Sequence, residues 1–134
     1  HYVFNGKWLF EDDCEAWTHG AVYGAVFDEF KSFQDSRLPR LNTVITLEKE
    51  EIETLLFIKE NYLDVYSSKA LNKICHKEEP FGQIRKILEE GEKSPRKISK
   101  NLIADYYNKI ANEYSINKEN KSNVRNYLNE ILFD

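Results

Sequence analysis

The side chains best suited to chemistry are those that bind metals. They are His19, Cys75 and His76, with Asp12 and Asp13 as further carboxylate ligands. Imidazole, thiolate and carboxylate groups together make up the usual ligands of a zinc site. Their spacing follows no metal-binding pattern, and the adjacent Cys75 and His76 would diverge by about 100° around a helix. We therefore expect neither a metal nor any other cofactor.

Adjacent carboxylates are the other candidates for catalysis, because paired acids can act as general acid and base. Glu50-Glu51 and Glu89-Glu90 each fall near an end of a predicted helix, on its outer side, which favours solvated charges. The chain has no GxxxxGK[ST], GxGxxG, GxSxG or HExxH motif. The sequence predicts a protein that is not an enzyme. The enzymatic alternative, built on His19 or His76, would be supported by metal bound to the purified protein.

A short basic run, Lys93–Lys100, raises nucleic acid as an alternative partner. Its cations could contact phosphates, and Tyr106 and Tyr107 could stack on bases. The net charge of −4 argues against a dedicated nucleic-acid-binding protein. We expect a polar connector followed by core-facing tyrosines. A nucleic-acid-binding transcriptional regulator of a phage or mobile element stays as the alternative function.

Bulk properties place the chain among globular proteins. Its 134 residues, 41% of them hydrophobic, can bury a core as a single domain. The two cysteines lack a CxxC spacing and are expected to be reduced thiols. Neither a membrane-spanning apolar run nor a signal peptide is visible in the sequence. We therefore expect a cytoplasmic protein without a membrane partner.

Hydrophobic periodicity predicts a mainly α protein, a compact bundle of about six helices with a small N-terminal hairpin or irregular segment. Asn5-Gly6 suits a tight turn, so the hairpin is expected between residues 2–4 and 7–10. A helix is expected near residues 23–34, with Gly24 marking its start. A longer helix is predicted from a cap at Thr46 to about Tyr62. The apolar face that this helix should bury comprises Leu47, Ile52, Leu55, Leu56 and Ile58.

Further helices follow in the second half of the chain. Ser67 or the next residue should cap one helix, and Ser99 another. Pro80 should lie in the first turn of a helix that Gly91 ends. The last helix is predicted to begin at about Lys118. Its apolar side comprises Val124, Tyr127, Leu128 and Ile131.

Several short blocks, in a fixed order, carry a family resemblance. They are Leu9-Phe10, then Glu15-Ala16-Trp17-Thr18-His19-Gly20-Ala21-Val22, then Leu71 with His76 and Pro80-Phe81, and finally Ile98-Ser99 with Ile103 and Tyr106-Tyr107. This series resembles the Panacea domain, also called the SocA-like antitoxin or phage-associated protein family. The resemblance covers about residues 1–110 and leaves residues 111–134 as a C-terminal helical extension.

The chain departs from the family pattern in places. The family usually has aromatic-Gly-Pro where this chain has His19-Gly20-Ala21, and tryptophan where it has Phe81. The family's leading helix would lie before His1. Either that helix precedes the present sequence or the chain is a diverged member.

The resemblance implies an antitoxin, associated with a prophage or mobile element, that binds and neutralises a cognate toxin. The toxin is expected to be the product of the adjacent gene, and some relatives also deliver the toxin to a protease. Such binding is stoichiometric and needs no catalytic residue.

Two sets of residues are candidates for the partner-binding site. The first comes from the family blocks and comprises Trp17, His19, Gly20, Leu71, His76, Pro80 and Phe81. A core role is the favoured interpretation for Trp17, Leu71, His76 and Phe81. Replacing a buried, hydrogen-bonded His76 with alanine should then cost about 1–3 kcal/mol. The second lies outside the resemblance, on the last helix, and comprises Val124, Tyr127, Leu128 and Ile131. This face could contact the toxin or form a homodimer. Toxin contact would be excluded if deletion of residues 118–134 left binding and folding intact.

Overall fold

The computed structural model describes residues 1–88 and 96–134. Across these two ranges it contains seven α-helices and one three-stranded antiparallel sheet, which confirms the predicted mainly α class. The predicted helix end at Gly91, the Glu89-Glu90 pair and residues 93–95 of the predicted connector lie outside the described residues.

The N-terminal segment is helical, so the hairpin predicted around Asn5 and Gly6 is wrong. The single-turn helix α1 spans Tyr2–Asn5. Gly6 ends it at a φ of 68°, and the Gly6 N–H donates to the carbonyl oxygen of Tyr2 at 2.8 Å. Glycine accepts this left-handed conformation both in tight hairpin turns and after helices. An Asn-Gly pair alone therefore does not distinguish the two.

The hairpin lies further along the chain. Strand β1 (Cys14–Trp17) pairs with β2 (Gly20–Tyr23), and Trp17 lies opposite Gly20. Strand β3 (Lys97–Ile98) pairs with the other edge of β1. The small sheet thus connects the N-terminal part of the chain to its second half.

Helix α2 (Gly24–Phe30) begins at Gly24 and continues as a 3₁₀ turn, Lys31–Phe33, which confirms the helix predicted near residues 23–34. Residues 37–47, here called the arm, follow without helix or strand. Their backbone groups form no hydrogen bond with the described part of the chain.

Helix α3 (Lys49–Ile58) begins beyond the predicted cap at Thr46, and it continues as a π-helical turn, Lys59–Leu63. Its cap is Glu48, whose N–H donates to Oε2 of Glu51 at 2.9 Å, while the Glu48 side chain accepts a bond from the backbone of Glu51. This reciprocal capping box satisfies amide groups that have no partner inside the helix.

The remaining helices are α4 (Ser68–Lys77), α5 (Glu79–Lys86), α6 (Lys100–Glu113) and α7 (Val124–Phe133). The predicted caps are confirmed, since Oγ of Ser67 accepts from the Ala70 N–H at 3.3 Å and Oγ of Ser99 from the Leu102 N–H at 3.2 Å. Pro80 lies in the first turn of α5, as predicted. Helix α7 begins later than predicted, after a 3₁₀ turn at Lys121–Asn123.

Two apolar clusters hold these elements together. The smaller one packs the sheet against α5 through Cys14, Ala16, Phe81 and Ile98. The larger one lies among α4, α6 and α7 and comprises Ile74, Ile110, Ile116, Val124, Tyr127, Leu128 and Leu132. Among the described helices, none has the length and apolar character needed to cross a membrane.

Candidate functional site

The turn between β1 and β2 is fixed to α4. Gly20 is buried at a φ of 147°, a conformation that residues with a Cβ rarely adopt. The N–H of Ala21 donates to Sγ of Cys75 at 3.4 Å, and the side-chain amide of Asn72 donates to the carbonyl oxygen of His19. The family-block residues of the hairpin thereby attach the sheet to a helix. The His19 residue itself is exposed.

Trp17 links β1 to α2. Its indole N–H donates to Oε2 of Glu15 at 2.7 Å, and its ring meets the ring of Phe27 edge to face, with centroids 4.8 Å apart. The residue is half-buried. Trp17 thus combines a structural contact with some access from solvent.

The second family block lies at the junction of α4 and α5. Phe81 and Pro80 are buried, and Leu71 is half-buried against the larger cluster. His76 is exposed, so the expectation of a buried, hydrogen-bonded imidazole is wrong. Its ring meets that of Phe81 edge to face at 4.7 Å. These contacts join the hairpin to α4, and α4 to α5.

Replacing His76 with alanine is expected to cost about 0.5–1.5 kcal/mol, because an edge-to-face ring contact is lost and no buried polar partner is left unpaired. Chemical denaturation measures the change. His19→Ala, at an exposed imidazole, is the matched control and should stay within about 0.5 kcal/mol of the wild type. A loss of about 3 kcal/mol at His76 would indicate a buried hydrogen bond instead.

Metal-binding side chains are dispersed. Across residues 1–88 and 96–134, no group of three or more histidine, cysteine, aspartate or glutamate side chains is placed to hold a metal ion. Burial raises the pKa of Cys14 to about 11, which keeps its thiol protonated at neutral pH.

The candidates on α7 lie in the core. Val124, Tyr127 and Leu128 are buried, and Ile131 is half-buried against the same cluster. A partner could reach the three buried side chains only if α7 left the bundle. The apolar periodicity of this helix is explained by packing on α4 and α6, and toxin contact through these residues stays a prediction.

Helix α3 presents apolar residues to solvent. Ile52, Leu55 and Leu56 are 45%, 46% and 49% exposed, and their spacing places them on one side of the helix. We call these three residues the outer face of α3. The prediction that they are buried is wrong, and Ile58, from the same predicted face, is also exposed.

The opposite side of α3 and its π turn face the core with hydrogen-bonded polar groups. Thr54 and Asn61 are buried. Oγ1 of Thr54 lies 2.7 Å from Nδ1 of His1, and Oδ1 of Asn61 accepts from Nε of Arg125 at 3.0 Å. Satisfied polar groups of this kind can be buried at little cost. In the sequence, only Phe57 could have indicated that this second side is buried. Phe57 is half-buried and lies on the side of α3 opposite the outer face.

The arm carries further exposed apolar side chains. Val44 is 94% exposed, which is nearly complete solvent contact. The other exposed apolar residues of the arm are Leu38, Leu41 and Ile45. The arm and the outer face of α3 are therefore neighbouring segments of the chain that both leave apolar groups uncovered.

A carboxyl group with unusual surroundings, Glu78, lies where α4 ends and α5 begins. The Tyr107 hydroxyl donates to its Oε2 at 2.7 Å, and the Tyr127 hydroxyl donates to its Oε1 at 2.8 Å. Burial raises the pKa of Glu78, while these two hydrogen bonds oppose the rise. Sequence spacing does not distinguish Glu78 from its exposed neighbour Glu79, so sequence reasoning misses it.

The stability of the wild type relative to Glu78→Gln is expected to fall as the pH rises. A raised pKa means that the folded protein holds this proton more tightly than the unfolded chain, whose ordinary value is 4.5. The protonated carboxyl group contributes its full stabilisation below a pH of 4.5, and this stabilisation is lost as the pH rises through the pKa of the folded protein. The loss amounts to about 1.4 kcal/mol for each unit by which the folded and unfolded pKa values differ. Denaturation of both proteins from about pH 4 to about pH 8 measures the change. Parallel stability curves would contradict the direction of this shift.

Comparison with known proteins gives one family assignment. The family model described as antitoxin SocA-like, Panacea domain, matches residues 1–82, which is more than half of the chain. No curated protein and no solved structure matches the chain. The matched residues include the sheet hairpin, α3 and the junction of α4 with α5. The chain therefore belongs to the SocA-like antitoxin, Panacea domain family.

Proposed function

We propose that this chain is an antitoxin that neutralises a protein toxin by stoichiometric binding through the outer face of α3 and the arm. The observation that carries the proposal is an uncovered apolar surface in a member of an antitoxin family. Of fifteen large apolar residues exposed in the described ranges, twelve lie between Val26 and Val65. Concentrations of exposed apolar groups are typical of protein-binding sites.

The arm adds a second mode of contact. Because its backbone groups have no hydrogen-bond partner within the described residues, they are available to pair with a strand of another protein. Strand addition of this kind supplies affinity through main-chain hydrogen bonds, and the exposed side chains supply specificity. The arm would then order against the toxin while α3 offers a rigid face beside it.

The proposed partner is a toxin encoded by the adjacent gene of a prophage or mobile element. Inhibition by binding depends on affinity and on the amount of antitoxin, and it requires no catalytic residue. A protease that receives the toxin from the antitoxin is a second proposed partner. We place both interactions in the cytoplasm.

The residues of the family blocks are a secondary proposal for toxin contact. Trp17 and His76 are accessible enough to touch a partner, whereas Gly20, Pro80 and Phe81 are buried. A homodimer through the outer face of α3 would compete with toxin binding for the same residues.

The basic residues give little support to the nucleic-acid alternative. Nζ of Lys97 lies 2.7 Å from Oδ2 of Asp13. Nζ of Lys100 donates to the carbonyl oxygen of Glu11 at 2.6 Å. These local contacts hold both cations close to the protein and lower the positive field that phosphates would meet.

Co-expression tests the proposed function. The chain, with any upstream residues of its gene restored, is expressed together with the product of the adjacent gene, and growth and copurification are scored. We expect the neighbour to be toxic alone, harmless with this chain, and copurified with it at a fixed ratio. A harmless neighbour that forms no complex would overturn the proposal, and salt-dependent binding to DNA would favour the regulator.

A further inference from the structure

The arm has the side chains of a β-strand but is not paired with one. Thr43, Val44, Ile45 and Thr46 are four consecutive β-branched residues, and residues of this type are enriched in strands. All four are exposed and belong to no helix or strand. Their N–H and C=O groups make no backbone hydrogen bond to residues 1–88 or 96–134. The arm therefore has a strand-forming sequence whose hydrogen-bonding partner is not supplied by the described residues.

Pro39 sets the N-terminal limit of the segment that can pair as a strand. It has no N–H to donate, so a continuous set of strand hydrogen bonds can begin only after it. Residues 40–46 contain neither proline nor glycine. Their number is typical of a single strand. We call residues 40–46 the pairing segment.

Two arginines place positive charge at the beginning of this segment. Arg37 and Arg40 are the only charged residues of the arm, in a chain whose net charge is −4. Both are exposed, and neither forms an ion pair with Asp35 or with any other described acid. Guanidinium groups bind carboxylates through strong, often paired hydrogen bonds. This end of the arm is therefore complementary to an acidic surface.

We propose that the pairing segment adds as an edge strand to a β-sheet of the toxin, with toxin carboxylates facing Arg37 and Arg40. This inference rests on the proposed function and states what the partner must offer, an unpaired sheet edge with acidic residues near one end. Addition to such an edge satisfies the free backbone groups of the arm and supplies affinity through main-chain hydrogen bonds. The arginine contacts fix which end of the arm meets which end of the toxin strand.

Strand addition has a consequence that side-chain contact alone does not have. Along a strand, the backbone groups of successive residues point alternately to its two edges. Only one edge of the pairing segment meets the toxin. The toxin therefore bonds either to Asn42 and Val44 or to Thr43 and Ile45, and the other pair keeps its N–H groups in solvent.

Neighbouring proline substitutions test this alternation. Thr43→Pro and Val44→Pro each remove one N–H, and only one of the two groups should face the toxin. One variant should bind at least about tenfold more weakly than the wild type, and the other within about threefold of it. Asn42→Pro should behave like Val44→Pro, and Ile45→Pro like Thr43→Pro. Calorimetry with the purified product of the adjacent gene measures the affinities. Losses that do not alternate along the four positions would overturn the proposal.

The free variants test a second possible occupant of the arm. Each proline should leave the thermal unfolding of the free chain unchanged, because the arm makes no backbone hydrogen bond there. If the arm paired instead with a second copy of this chain, the prolines would lower the mass measured by light scattering in the absence of toxin. That result would overturn the proposal.

Removal of the arginine charges tests the acidic end of the toxin strand. The double variant Arg37→Gln, Arg40→Gln should bind at least about fivefold more weakly at low salt, and its affinity should depend less on salt. The matched control is Lys109→Gln with Lys118→Gln, which removes the same charge at two exposed lysines outside the arm and should bind like the wild type. Equal affinities of the two double variants would overturn the proposal. In each of these negative results the toxin still binds, so the proposed function would stand, whereas the absence of any complex would remove both.

Discussion

Replacing Leu128 with alanine is expected to lower the free energy of unfolding by about 3–5 kcal/mol. Leu128 is 0% exposed, and among residues 1–88 and 96–134 it is the largest side chain that is completely buried. Its neighbours come from α4, α6 and α7, so they cannot all move to fill the space that alanine would leave. The loss would be a large share of the stability of an ordinary small domain. Urea denaturation followed by circular dichroism measures it.

Leu56→Ala is the matched control for this change. The same atoms are removed, but Leu56 is 49% exposed on the outer face of α3. Its replacement should cost less than about 1 kcal/mol, because less apolar area returns to water and no cavity forms. Equal costs at the two leucines would contradict the assignment of Leu128 to the core.

The burial of Leu128 changes how the C-terminal helix has to be tested. Deleting residues 118–134 removes Val124, Tyr127 and Leu128 from the larger cluster, so the deletion should unfold the protein. Loss of toxin binding in an unfolded chain does not show where the toxin binds. A substitution at Asn126, which is exposed on α7, tests toxin contact there without opening a cavity.

Local signals in the sequence predict much of the helical framework. Ser67 and Ser99 cap helices as expected, and Pro80 lies in the first turn of one, because each of these effects depends on residues within a single turn. The Asn5-Gly6 signal fails for a physical reason. Its left-handed glycine fits two local structures, and the choice between them depends on contacts far along the chain, such as the bond from His1 to Thr54.

The candidate sites are harder to predict, because they depend on which side of an element meets the core. Helix α3 has apolar residues on both sides, and the buried side includes the polar Thr54. Apolar periodicity therefore predicts that the outer face of α3 is buried, whereas the structure buries the opposite side of the helix. The environment of Glu78 is equally difficult to predict from the sequence, since it is formed by Tyr107 and Tyr127, which lie on helices far away in the sequence.

Placing glutamate at Leu55 is expected to weaken toxin binding at least about 100-fold, which corresponds to about 2.8 kcal/mol. Leu55 is 46% exposed, so in the free protein a glutamate there keeps its charge in water and fits the helix. In the complex the same carboxylate would be buried against an apolar surface without a partner, which costs several kcal/mol. The free energy of unfolding should therefore change by less than about 1 kcal/mol while binding is lost. Calorimetry with the purified toxin and urea denaturation measure the two effects separately.

Phe133→Glu is the matched control for that experiment, because it places the same charge at an apolar side chain that is 82% exposed on α7. If the toxin covers α3 and the arm, this variant should bind like the wild type, since its carboxylate stays in water in both states. The opposite pattern, with binding lost at Phe133 and kept at Leu55, would move the toxin to the C-terminal helix. Copurification alone would not separate these cases, because a complex through either surface has the same composition. The two glutamates together therefore decide which surface an antitoxin of this fold uses.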